Sequence, residues 1–195
     1  RNGQKLIISP GNDGARGSSM TGRHYFGVLS DPLAINLDGI HLRWFDHWLK
    51  DDKNGITDEP PVRIFVMGDD VWRDEQEWPL SRAVETKYYL HSGGKANSKN
   101  GDGVLSTEQP AGEQSDVFLY NPADPVPTIG GALCCNPYFA ANGAYDQNEV
   151  EERNDVLVYS TPPLERDLEV TGPVTVTLWA STSATDTDFT AKLVD

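Results

Sequence analysis

Cysteine is almost missing from this chain of 195 residues: there are 2, Cys134 and Cys135, and they are adjacent. A disulfide between neighbours is strained, and two sulfurs without His or Cys at ligand spacing do not make a zinc site. Both are therefore expected to be small buried hydrophobes, with no metal and no cofactor implied. Basic residues are scarce as well. The 16 Lys and Arg stand against 30 Asp and Glu, giving a formal net charge of −14. A chain so poor in clustered cations has little with which to displace counterions from phosphate, which argues against a nucleic-acid partner. The acidic residues are scattered, as on a solvated surface. Long apolar runs are also lacking. Nothing approaches the roughly 18 consecutive apolar residues of a membrane span, and Arg1-Asn2-Gly3-Gln4 leads into only a short apolar run. Neither a membrane partner nor a signal peptide is expected, and the compartment stays open.

What is abundant is punctuation. The 13 Pro and 18 Gly are spread along the whole length, which favours many short elements over a helical bundle. The length suits one or two domains. Lys5-Leu6-Ile7-Ile8-Ser9 reads as a buried strand closed by Pro10-Gly11, after which Pro10 to Gly27 forms a glycine-rich loop. From Asp38 to Lys50, Ile40, Trp44, Phe45, Trp48 and Leu49 recur at helical spacing, so an amphipathic helix is predicted there, stopped by Asp51-Asp52-Lys53-Asn54-Gly55. Strand, loop and helix together form a unit of α/β type.

After Asp58-Glu59-Pro60-Pro61 the period changes to alternation. Val62, Ile64 and Val66 share one face of a predicted strand. Further strands are predicted at 88–90, 117–120, 155–159, 174–180 and 189–194, separated by Pro and Gly turns without a helix signal. That pattern indicates a β-sandwich or jelly roll. The fold class expected is therefore mainly β: a jelly-roll sandwich over 59–195, preceded over 1–58 by a strand-loop-helix remnant. The last strand runs to Asp195 with no closing signal, and an uncovered sandwich edge is something natural domains avoid, so the sequence reads as cut from something longer at both ends.

Several strings then carry a family resemblance. They are Arg43-Trp44-Phe45-Asp46-His47-Trp48-Leu49-Lys50, Asn54-Gly55-Ile56, Glu59-Pro60-Pro61-Val62-Arg63-Ile64-Phe65-Val66-Met67-Gly68 and Trp72-Arg73, then Tyr88-Tyr89-Leu90-His91-Ser92-Gly93-Gly94. Next come Asp124-Pro125-Val126-Pro127-Thr128-Ile129-Gly130-Gly131, Asp146-Gln147, Asp155-Val156-Leu157-Val158-Tyr159, Glu169-Val170-Thr171-Gly172-Pro173 and Asp186 to Asp195. In order and spacing these resemble the CocE/NonD-type hydrolases, the cocaine-esterase and X-Pro dipeptidyl-peptidase family, across nearly the whole chain. The resemblance implies an α/β-hydrolase domain with a Ser-His-Asp triad, followed by a jelly-roll domain packed on it. It also implies acyl transfer on an ester or amide substrate.

In that fold the triad runs Ser, Asp, His along the chain, so only the His segment can fall here. No G-x-S-x-G elbow exists; Gly17-Ser18-Ser19-Met20-Thr21 lacks the last Gly. The family's His follows the strand resembling Lys5 to Ser9 in a Gly-Pro-Trp-x-His-Gly pattern, whereas this chain has Ser9-Pro10-Gly11-Asn12-Asp13-Gly14. Asp13 thus stands at the general-base position. A carboxylate of pKa about 3.9 is a far weaker base than an imidazole near 6.5. Either catalysis is impaired or His24, later in the same loop, takes over.

Other residues invite plainer roles. His41 and His47, six apart on the helix, do not share a face as a metal pair would. His91 closes a strand, the five tryptophans fit core positions, and Asp186, Asp188 and Asp195 fit turns and surface rather than a calcium loop. The expected function is a fragment of a serine hydrolase, itself lacking the nucleophile, whose partners are the missing N-terminal catalytic region and a small ester or amide. A different class remains open: a non-catalytic sandwich that binds carbohydrate or a partner protein. An oligomer contact through the sandwich is also compatible with the sequence.

Overall fold

The computed structural model describes residues 3–11, 18–112, 114–133 and 141–195. Asp13, Cys134 and Cys135 lie outside the described residues. The core forms around the alternating segment after the double proline. Strand β1 (Leu6–Ile8) pairs in parallel with β4 (Val62–Val66), Leu6 opposite Val62, and β4 pairs antiparallel with β5 (Val71–Glu75), giving the sheet order β1-β4-β5. Val62, Ile64 and Val66 are buried on one face of β4 with Leu80, and Trp78 packs against them. Phe65, on the other face, meets Trp72 edge-on at 5.3 Å and Phe26 at 6.4 Å. A strand buried on both faces is the natural centre of a sheet covered on both sides.

Two smaller ladders are also formed. The hairpin β2 (Met20–Thr21) and β3 (His24–Tyr25) lies in the loop predicted after β1, and β6 (Tyr89–His91) pairs antiparallel with β7 (Val104–Ser106). Helix α1 (Leu37–Lys50) matches the predicted span, with the Asn36 side chain accepting from the Gly39 amide at its N-terminus. It ends on Asp51 in left-handed geometry, φ 57°, earlier than the Asn-Gly pair. Its apolar stripe is only partly covered: Ile40 and Trp44 are half-buried, while Phe45, Trp48 and Leu49 are exposed. A one-turn helix α2 (Asn148–Glu151) follows the 143–147 segment. Among the described residues no helix is long and apolar enough to cross a membrane.

The architecture is mainly β, as the sequence indicates, but several predicted strands are not formed. Residues 117–120, 174–180 and 189–194 build no ladder, and Val174, Val176, Leu178 and Leu193 are exposed. Alternation marks which face a strand would bury once covered; without a hydrogen-bonded neighbour the backbone is merely extended. Residues 155–159 come closer. Their backbone runs beside the single segment 96–98, with Ser98 N donating to Val156 O (2.7 Å) and Val158 N donating to Ala96 O (2.9 Å), and an isolated antiparallel bridge joins Asn97 to Leu157.

Candidate functional site: the loop after the first strand

β1 delivers the chain to Pro10, and the hairpin β2–β3 brings it back beside the same point. The two-residue connection Gly22-Arg23 has Gly22 at φ 64°, as a hairpin of the II′ kind requires at its first central position. This hairpin carries His24, which stands directly opposite Thr21. The His24 ring is exposed and lies 4.3 Å from the ring of Phe26, a buried side chain whose other neighbour is Phe65 of the central strand. Trp72 adds a further tie, donating from Nε1 to the Leu29 carbonyl in the 3₁₀ turn Val28–Ser30. The imidazole is therefore connected to the core through a run of aromatic contacts while its face stays open to solvent.

The base of the loop is closed by polar contacts. Thr21, buried, donates its hydroxyl to Pro10 O (2.9 Å), and Phe26 N donates to Ser19 O (3.0 Å). The hairpin also touches a segment far along the chain: Arg23 N donates to Ala144 O (2.9 Å) and Ala144 N to Thr21 O (3.3 Å). The Arg23 guanidinium sits over the Tyr145 ring, 5.6 Å from its centroid, close enough for a cation–π attraction.

A second feature joins the two predicted regions. Glu59, just before the double proline, accepts from Lys5 Nζ (2.6 Å) at the start of β1 and from Arg43 of α1. Burial pushes the Glu59 carboxyl up, but the two cations outweigh it and hold the group below the usual carboxylate range. Beside this node a mostly apolar cleft of about 450 Å³ opens between β1 and α1, lined by Leu6, Ile7, Ile35, Leu37, Ile40 and Trp44, with Lys5, Ser9 and His41 as polar members.

The predicted residues fall into place unevenly. His47 has a backbone partner, Asp52 O at 2.9 Å from Nδ1, and its ring meets Trp48 edge-on. His91 ends β6, with Nε2 at 2.9 Å from Glu108 O. Among the described residues no group of three His, Cys, Asp or Glu could hold a metal ion. Asp13 lies outside the described residues, and His24 is on the hairpin described above. Thr21, Gly22, Ala144 and Glu59 were not singled out as site residues from the sequence. Their partners lie 11 to more than a hundred positions away, and no local spacing announces them. The same holds for Asp116, which accepts from Ser92 Oγ (2.6 Å), Tyr159 OH (2.6 Å) and Ala96 N (2.8 Å). Burial pushes Asp116 up, and these three donors outweigh it.

With this geometry in hand, comparison with known proteins is decisive. Residues 54–195 match the X-Pro dipeptidyl-peptidase C-terminal non-catalytic domain. The chain belongs to that family. Relatives of the X-Pro dipeptidyl-peptidase C-terminal family extend the match beyond that domain. Cocaine esterase of Rhodococcus sp. (strain MB1 Bresler) is 42% identical over 194 residues, 98% of this chain and 33% of the esterase. A Mycobacterium bovis protein named as a serine esterase is 28% identical over 204 residues, covering 99% of this chain and 28% of its own length. A Bacillus cereus protein named as an Xaa-Pro dipeptidyl-peptidase is 26% identical over 153 residues, 78% of this chain and 22% of that protein. The chain thus spans a third or less of the curated relatives it matches, and it belongs with hydrolases through its C-terminal, non-catalytic domain family.

Proposed function

We propose that this chain is the base-bearing loop and the sandwich of a serine hydrolase that cleaves ester or amide bonds by acyl transfer. The single observation that carries the reading is the 42% identity to a cocaine esterase over 98% of the chain, in a sequence that contains no G-x-S-x-G elbow. Nucleophile and orienting carboxylate would come from sequence preceding β1. Residues 1–58 would complete the catalytic α/β domain, and 59–195 would form the jelly-roll sandwich that packs on it.

In such a reaction the serine hydroxyl attacks the carbonyl carbon, its proton passes to an imidazole, and the imidazolium returns that proton to the leaving group. Asp13 is poorly matched to this task, because a carboxylate is almost fully ionised and weakly basic at neutral pH. His24 has the right chemistry, an open face and an anchored backbone, so it is the group assigned the proton transfer. Asp13 then occupies the family position without performing the role.

The 195-residue chain alone is expected to leave short-chain aryl esters intact and to resist covalent labelling by a fluorophosphonate. Labelling of this chain would refute the absence of a nucleophile. For the longer polypeptide, hydrolysis of the same ester is expected to fall by roughly a hundredfold or more on His24→Gln. If Asp13→His instead creates activity where the unsubstituted polypeptide has none, His24 is not the base.

A further inference from the structure

We propose that Thr21 is a positioning residue for His24, and that it acts by clasping the hairpin to the sandwich segment 143–145. The inference rests on the reading of His24 as the base. Thr21 faces His24 across the β2–β3 ladder, so whatever fixes Thr21 fixes the strand that presents the imidazole. Three interactions fix it. Its buried hydroxyl donates to Pro10 O at 2.9 Å, closing the loop on the end of β1. Its carbonyl accepts from Ala144 N, and the amide of Arg23, two residues on, donates to Ala144 O.

The approach of the two backbones is closer than side chains permit. A Cβ on Gly22 would lie 2.3 Å from Ala144 O, and one on Gly143 would lie 2.3 Å from Gly22 N. Gly143 in turn exchanges both backbone hydrogen bonds with Gly131, at 2.7 and 2.9 Å. Behind that contact the Gln147 side chain donates to Ile129 O and Tyr145 O, both at 2.9 Å, and accepts from Lys192 Nζ at 3.0 Å. The hairpin therefore rests on a braced backbone from the sandwich rather than on solvent. Displacement of a reacting group by about 1 Å can cost on the order of a hundredfold in rate, which gives so close a contact a catalytic consequence. Sandwich and proton-transfer group are coupled here through backbone hydrogen bonds, with the Arg23 guanidinium over the Tyr145 ring beside them.

The test uses the longer polypeptide with a short-chain aryl ester, at a temperature where circular dichroism shows every variant folded. Thr21→Val keeps shape and removes the hydroxyl; Thr21→Ser keeps the hydroxyl. Expected for Thr21→Val is a fall in kcat of roughly tenfold or more, with KM altered less than about twofold and faster hydrogen exchange at the Arg23 amide. Thr21→Ser should restore both. Gly143→Ala should reproduce the kcat loss without touching the hairpin's own sequence. Wild-type kcat in Thr21→Val, with Arg23 exchange accelerated, would leave Thr21 a purely structural residue and overturn the proposal. Unchanged Arg23 exchange in both Thr21→Val and Gly143→Ala would overturn the clasp itself. Full activity in His24→Gln would remove the reading beneath it, a result separable from the other two because the exchange data would still stand.

Discussion

Glu169 illustrates how a single side chain ties a long extended segment to the sheet. Its carboxylate accepts from Arg73 Nη1 at 3.0 Å and Nη2 at 2.5 Å, and from Thr171 Oγ1 at 2.8 Å. The Arg73 hydrogen bonds come first, with Thr171 adding to them, and together they pull the group down from an ordinary 4.5 to about 2. Because the folded value lies below the unfolded one, the stabilisation is complete above about pH 4.5 and drains away as pH falls toward 2. Its size is modest, since the Glu169 side chain is 43% exposed and solvent screens such pairs. Acid denaturation of Glu169→Gln should therefore separate from wild type near neutrality and converge with it by about pH 2. Curves that coincide through that window would show the pair contributes nothing. Arg73 also donates to the buried Glu75 at 2.6 Å, and Arg82 bonds the same carboxylate, so a buried acid here is matched by two guanidinium groups rather than left unpaired.

At the level of elements, legibility followed hydrophobic periodicity. Helix α1 and strand β4 were readable because their apolar residues recur at fixed spacing, and both formed within a residue or two of the predicted span. β5 was not readable. Val71-Trp72-Arg73-Asp74-Glu75 carries charge on both faces, and what holds it is cross-strand: Arg63 donates to Asp74 through Nε (2.5 Å) and Nη2 (2.8 Å), the two residues being register partners. A double-mutant cycle on Arg63 and Asp74 should give a coupling of about 0.2–1 kcal/mol in urea denaturation, since both are partly exposed. A value indistinguishable from zero would mean that the Arg63–Asp74 pair adds nothing to the backbone ladder and the other side-chain contacts of β5. The hairpin β2–β3 was hidden for another reason. Its four paired residues are too few to show alternation, and its stability comes from Pro10 and Ala144, which lie outside it. Asp13 and His24 were legible only through the resemblance, as positions in a loop, not through any spacing that marks proton-transfer chemistry.

Over the whole molecule, the C-terminal stretch sets the character of the surface. Leu164, Leu168, Val170, Val174 and Phe189 are exposed, and Trp179 is fully so. The apolar–polar alternation of 174–180 led to a strand, and it was misleading only in the sense that no neighbouring strand covers the apolar face among the described residues. With that exposure in solution, Trp179 should emit like free indole and be the tryptophan most accessible to acrylamide. Trp179→Phe should then remove most of the readily quenched signal, independent of protein concentration. Protection of Trp179 that grows with concentration would reveal a second copy seated on this face.

The parallel ladder between β1 and β4 has a practical corollary. Because Leu6 sits alongside Val62, the strands on either side of the double proline are stitched into one fabric. Scissors applied at Pro60 would strip β4, the middle strand of its sheet, of one neighbour and leave that edge's amides and carbonyls open to any passing polypeptide. A soluble, well-behaved sandwich fragment should therefore begin no later than Lys5.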